Sequence, residues 1–140
     1  MRVALTYNEK RATSASPDAA DAEFDTRDAI AALAELVAEL GHRVVPIDVA
    51  GPIPDLVARL TRTAPEVVLN FAEGDRGTFR EAFYPALFEQ LGLAHTGSSA
   101  STLAVCLDKA LAKRVAAGAR VRVPRGLLIR ALDAPSPLAR

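Results

Sequence analysis

The chain has 140 residues, half of them hydrophobic and about a quarter charged, with 17 basic residues balanced by 17 acidic ones. This is one domain's worth of ordinary globular composition, and its neutral balance lacks the long-range field with which proteins track phosphate backbones, which excludes nucleic acid as an expected partner. No apolar run approaches the roughly 18 residues that span a bilayer, and Cys106, the only cysteine, leaves no internal disulfide and no Cys-based metal cage. Met1-Arg2-Val3-Ala4-Leu5 passes directly into a strand-like run without the long apolar stretch of a signal peptide, so the expected setting is cytoplasmic, away from the membrane.

Val3–Tyr7 is a short apolar run suited to a buried strand. A polar connection follows from Asn8 to about Asp25. Ile30, Leu33, Val37 and Leu40 then fall at helical spacing, with Asp25 or Thr26 available as the cap and Gly41 at the end. Arg43–Asp48 is a second strand. After the Gly51-Pro52 turn, Ile53, Leu56, Val57 and Leu60 form a second amphipathic stripe with Pro54 and Asp55 in its first turn. Val67–Phe71 is the third strand, rich in β-branched residues.

Thr78 and Glu81 have the spacing of a capping box, which predicts a third helix from Thr78 to Gly92, kinked or divided at Pro85. Leu93–Thr96 reads as a short fourth strand. A helical stretch from about Ser99 breaks near Asp108 and ends at Gly118. Leu127–Arg130 reads as a last strand, and Asp133 onward as a linker. Strands alternating with helices across short connections predict an α/β fold: a three-layer, Rossmann-like arrangement of a short parallel sheet flanked by helices.

Ligands of such sheets sit at the carboxyl ends of the strands. That rule selects three segments. The connection after the first strand, about 18 residues by its Asn8–Asp25 limits, is well beyond the usual length and contains Glu9, Lys10, Asp18, Asp21, Glu23 and Asp25. It is either a solvated loop or a flap that presents a carboxylate to a cationic group. Asn70-Phe71-Ala72-Glu73-Gly74-Asp75-Arg76-Gly77-Thr78 is a polar turn into a helix, able to receive an anion or to serve as a plain turn. It carries neither a P-loop nor a dinucleotide fingerprint. Thr96-Gly97-Ser98-Ser99 offers hydroxyls and amides at another helix start, where serine is also an ordinary cap. Lys109 and Lys113 lie one helical turn apart, either as a phosphate clamp or as a solvated face. Cys106, among Leu103, Val105 and Leu107, reads as a small buried hydrophobe. His42 and His95 have no neighbours at metal-ligand spacing.

The order of these segments carries more than any one of them. Val68-Leu69-Asn70, Glu73-Gly74, Gly77-Thr78, Gln90-Leu91-Gly92-Leu93, His95-Thr96-Gly97-Ser98, Leu107-Asp108-Lys109 with Lys113, and Ala117-Gly118 through Val123-Pro124 occur in one continuous series. This series resembles the N-terminal, pre-ATP-grasp domain of D-alanine–D-alanine ligases and their ATP-grasp relatives. Two departures stand out. Ala72-Glu73-Gly74 takes the place of the Leu-His-Gly turn of those ligases. Their short Ser-Ala-Glu loop after the first strand is replaced by a much longer one that ends in Ala22-Glu23. Both changes fall where an amino acid substrate would lie.

The resemblance implies residues 1–124 as the substrate-side domain and 125–140 as a linker and first strand leading toward an ATP-grasp domain. It implies ligation through an acyl phosphate, with ATP and Mg2+ held mainly by later domains, and a chain inactive alone. It implies Glu23 as an anchor for a substrate ammonium, Glu73, Gly74 and Ser98 as pocket lining, and Lys109, with Lys113 behind it, as phosphate contacts. The expected partners are an amino-acid or peptide-like substrate and a second copy in a homodimer. An alternative reading is a stand-alone α/β small-molecule-binding or interaction domain without catalysis, working with a separate ATP-grasp subunit.

Overall fold

The computed structural model describes residues 1–10, 25–74 and 76–128. The flap residue Glu23, the turn residue Asp75 and the end of the predicted last strand at Arg130 lie outside them. Among the described residues, β1 (Arg2–Tyr7), β2 (Arg43–Asp48) and β3 (Val67–Asn70) form a parallel sheet in the order β2-β1-β3. β1 is central because it is the run that can be apolar on both sides: Val3, Ala4, Leu5 and Thr6 are all buried. In register, Ala4 faces Val45 and Val68, and Thr6 faces Ile47 and Asn70.

That alternation divides the core. On one face Ala4, Ile47 and Val68 pack with Leu56 and Leu60 of α2 (Ile53–Thr63) and with Tyr84 and Phe88 of α3 (Arg80–Gln90). Val3 and Leu5 alternate to the other face, where α1 (Arg27–Glu39) packs on β2 and buries Ile30. Thr26 caps α1 by accepting from the Ala29 N–H at 3.3 Å, and Gly41 follows its end at φ +85°. The predicted stripe of α1 is buried only in part. Leu33 and Val37 are half-buried, whereas Leu40 is 75% exposed.

α3 differs from its prediction at two points. The turn after Gly77 takes up Thr78 and Phe79, so helical geometry begins at Arg80 with Phe79 as the cap residue and no capping side chain. The Thr78–Glu81 capping box is therefore not formed, and Glu81 instead lies 3.7 Å from the Arg80 guanidinium. Pro85 does not divide the helix. It is fully buried, between the core residues Tyr84 and Phe88, and the core contacts of this face outweigh one lost backbone bond.

The predicted fourth strand is reduced to one parallel bridge between Val68 and His95, with the Val68 N–H on the Ala94 carbonyl at 2.8 Å and the Thr96 N–H on the Val68 carbonyl at 2.9 Å. α4 (Ala100–Leu107) packs on α3, and α5 (Lys109–Gly118) on α4. The break between them is set by Asp108, whose carboxylate accepts the N–H groups of Ala110 and Leu111. Cys106 is exposed, which corrects the buried reading, because neither α4 nor α5 has a fully buried residue. Leu127 and Leu128 are exposed and outside any strand. No helix among the described residues is long and apolar enough to cross a membrane.

Candidate functional site

The carboxyl ends of β1 and β3 and the bridge at His95 bring a set of polar side chains together. Thr6, fully buried, donates its hydroxyl to Asn70 Oδ1 at 2.9 Å. The same oxygen accepts the Ala72 N–H at 3.2 Å, while the Asn70 N–H goes to Thr96 Oγ1 at 3.0 Å. Asn8, 6% exposed, accepts the Glu73 N–H on Oδ1 at 2.9 Å. Four side chains from three segments thus fix the backbone from Asn70 to Glu73. Buried polar groups persist only when paired in this way.

Gly74 completes the turn. It is buried at φ +73°, and an added Cβ would collide with the Arg80 carbonyl oxygen and lie 3.0 Å from its carbon. Only glycine fits both the dihedral and the space. Glu73 therefore stands, half-buried, between a residue tied to Asn70 and a glycine pressed on the start of α3. Gly74 can offer a ligand its backbone alone.

The neck of the long connection sits beside this turn. Glu9 and Asp25 form a parallel bridge, with the Lys10 N–H on the Asp25 carbonyl at 2.9 Å and the Asp25 N–H on the Asn8 carbonyl at 3.1 Å. Glu9 also meets the Arg27 guanidinium at 2.8 Å. The Asp48 carboxylate accepts the N–H groups of Ala50 at 3.0 Å and Glu9 at 3.3 Å. Burial above all, and then the charges of Asp48 and Glu9, push the Tyr7 phenol above its ordinary 10.0, so it remains a neutral donor. Residues 9 and 25 are held together, and Glu23 lies two positions before that clasp, outside the described residues.

Ser98 is exposed and follows Thr96, which is itself tied to Asn70, so it lies on the same end of the sheet as Glu73. The lysines are placed differently. Lys109 Nζ donates to the Cys106 carbonyl at 3.2 Å, and its helix packs on α4. Lys113 lies one turn further, with its Nζ beside Gly126. Glu73 and Gly74 follow the carboxyl end of β3 and Ser98 follows the bridge at His95, whereas Lys109 and Lys113 lie on α5. Sequence reasoning missed Thr6, Asn8 and Asp48 as the frame of the site. Their signal was available: each is a polar residue at or just beyond the carboxyl end of a predicted strand.

No family model matches the chain. Its sequence is 36% identical over 95 residues to a D-alanine–D-alanine ligase of Gluconobacter oxydans, covering 68% of this chain and 31% of that protein. It is 38% identical over 96 residues to the enzyme of the same name from Moorella thermoacetica, covering 69% and 29%, and 38% identical over 103 residues to that from Caulobacter vibrioides, covering 74% and 30%. The fold is similar to the crystal structure of D-alanine–D-alanine ligase from Bacillus anthracis complexed with ATP, with a TM-score of 0.61 at 17% identity over 96% of this chain and 43% of that one. The chain spans about 30% of the length of these curated relatives. It is a homologue of the D-alanine–D-alanine ligases over about 70% of its own length, and it resembles their N-terminal domain.

Proposed function

We propose that this chain is the substrate-side domain of an ATP-dependent carboxylate–amine ligase, which forms an amide through an acyl phosphate. The observation that carries the reading is the turn at Ala72–Gly74: in a sequence homologous to D-alanine–D-alanine ligases, the backbone that bears the Glu73 carboxylate is fixed at the carboxyl end of the sheet by the Ala72 and Glu73 N–H bonds and by the close approach of Gly74 to Arg80. A positioned charge of this kind serves orientation, the term that dominates when two reactants must be held in line.

In this reading Glu73 receives the ammonium of an amino-acid-like substrate, with Glu23 as a second anchor from the long connection. Ser98 and the backbone of Gly74 line the same pocket. Lys109, and behind it Lys113, offer positive charge toward the nucleotide phosphates, which supposes that Lys109 leaves the Cys106 carbonyl. ATP supplies the phosphoryl group that activates the carboxylate. Mg2+ would be held mainly by the domains that follow. Residues 1–124 act as the substrate-side unit and 125–140 as the connection onward; a second copy of the chain is the expected partner, in the cytoplasm. The test is amino-acid-dependent release of phosphate from ATP by the full-length gene product. Stimulation by small amino acids or dipeptides supports the reading, and ATP consumption indifferent to every amino acid tested overturns it.

A further inference from the structure

At the amino ends of the strands, away from the turn at Glu73, a cleft of about 530 Å3 opens between edge strand β2 and α2. Its lining includes Arg2, Arg43, Arg59 and Arg62, with Val45 and Pro46 as an apolar wall, and no carboxylate among the described residues. In a chain with 17 basic and 17 acidic residues this is a local choice, not a consequence of net charge. The volume falls in the ordinary range for a small ligand.

The placement works against the empty fold. Arg2 and Arg43 are direct partners across adjacent strands, and Arg59 and Arg62, three residues apart on α2, share a flank. Like charges in either relation destabilise. Two of the four have partial relief. Arg2 Nε donates to the Ala64 carbonyl at 3.0 Å, and Arg62 lies in the last turn of α2, where a cation suits the helix dipole. Glu66 is close, but its carboxylate accepts the Arg2 backbone N–H at 2.6 Å. Among the described residues none places a carboxylate on the guanidinium of Arg43, Arg59 or Arg62. Breaches of local pairing rules without a structural return are characteristic of binding sites.

We propose that this cleft binds a small molecule bearing two linked phosphates, which the guanidiniums grip in the paired geometry that arginine offers to phosphate oxygens. One phosphate would leave part of the charge of the four guanidiniums unmatched, whereas a diphosphate carries enough negative charge to match both pairs. The proposal is independent of the ligase reading.

The experiment is calorimetric titration and thermal melting of the 140-residue chain in magnesium-free buffer, with inorganic pyrophosphate, ADP and, at matched ionic strength, sodium chloride. Saturable pyrophosphate binding that raises Tm is expected. The double substitution Arg43→Gln and Arg62→Gln should weaken it at least about tenfold, the effect of about 1.4 kcal/mol, while melting no lower than the parent without anion. ADP binding that matches pyrophosphate assigns the recognition to the phosphates alone. ADP binding tighter than pyrophosphate places its adenosine on the Val45–Pro46 wall. Should the double variant fail to fold, Arg59→Gln alone must weaken pyrophosphate. Equal stabilisation by sodium chloride, or pyrophosphate binding unchanged in these variants, overturns the proposal.

Discussion

Glu73 and Gly74 are neighbours with opposite reasons for being where they are. Gly74 is fixed by geometry: at φ +73°, facing the Arg80 carbonyl, any Cβ is strained and obstructed. Gly74→Ala should therefore cost about 2 kcal/mol or more and lower Tm by roughly 5–10 °C; an unchanged melt would show that the turn relaxes freely. The Glu73 backbone N–H donates to Asn8 Oδ1, and the charge of its carboxylate has no part in that bond. If the carboxylate receives a substrate ammonium, Glu73→Gln in the full-length protein lowers kcat/KM for the amino acid by about 1–3 kcal/mol and spares the KM for ATP. Equal values for the amino acid would return Glu73 to the role of a turn residue. At the opposite end, the hydrogen bond from the Arg2 N–H holds the Glu66 carboxyl below its ordinary 4.5. The unfolded chain then binds the proton more readily, so the contribution is present above that ordinary value and is lost as pH falls through the depressed one. Melting curves taken from about pH 6 down to about pH 3 should fall less steeply in Glu66→Gln than in the parent; identical slopes would remove Glu66 from the acid transition.

The elements differ in how their limits are set, and that decided which were legible. β1, β2, β3, α1 and α2 were evident because periodicity, Thr26, Gly41 and Pro54 are local signals that tertiary packing had no reason to override. The start of α3 was not, because the constraint lies in how the turn closes on itself: Gly74 must pass against Arg80, and the turn that achieves this takes up Thr78. The fourth strand was overestimated because Leu93–Thr96 meets β3 at a single bridge, between His95 and Val68. Asp108 is the clearest case of a local signal that held. Its carboxylate accepts two N–H groups, at 2.9 Å and 3.0 Å, and opens α5 directly after α4 ends. Asp108→Ala should cost about 1–2 kcal/mol, and the helical signal lost on heating should shift accordingly. Asp108→Asn, which keeps an acceptor oxygen, should recover most of it. A neutral Asp108→Ala would mean that α4 and α5 are positioned by packing alone.

At the scale of the whole molecule, sheet topology did for the site what no single residue could. It named the carboxyl ends of the strands as the place to look, and Glu73, Gly74 and Ser98 do share that end, while Thr6 and Asn8 beneath them came to light only with side-chain contacts. Lys109 and Lys113 show the limit of the same logic, since one helical turn places them together but does not say what their helix faces. The division of labour that follows is testable on the chain itself. Nucleotide chemistry needs groups that enclose the phosphates and a metal to neutralise them. The stretches that this chain matches make up only 31% and 29% of two of its relatives, which are therefore more than twice its length. Purified alone, the 140 residues should release no phosphate from ATP above the buffer blank, with or without magnesium and amino acids. Any phosphate compound they bind should enter the arginine cleft and leave unhydrolysed. Magnesium-dependent turnover that survives Arg43→Gln with Arg62→Gln would place a complete catalytic centre within this chain and overturn the assignment of a substrate-side domain.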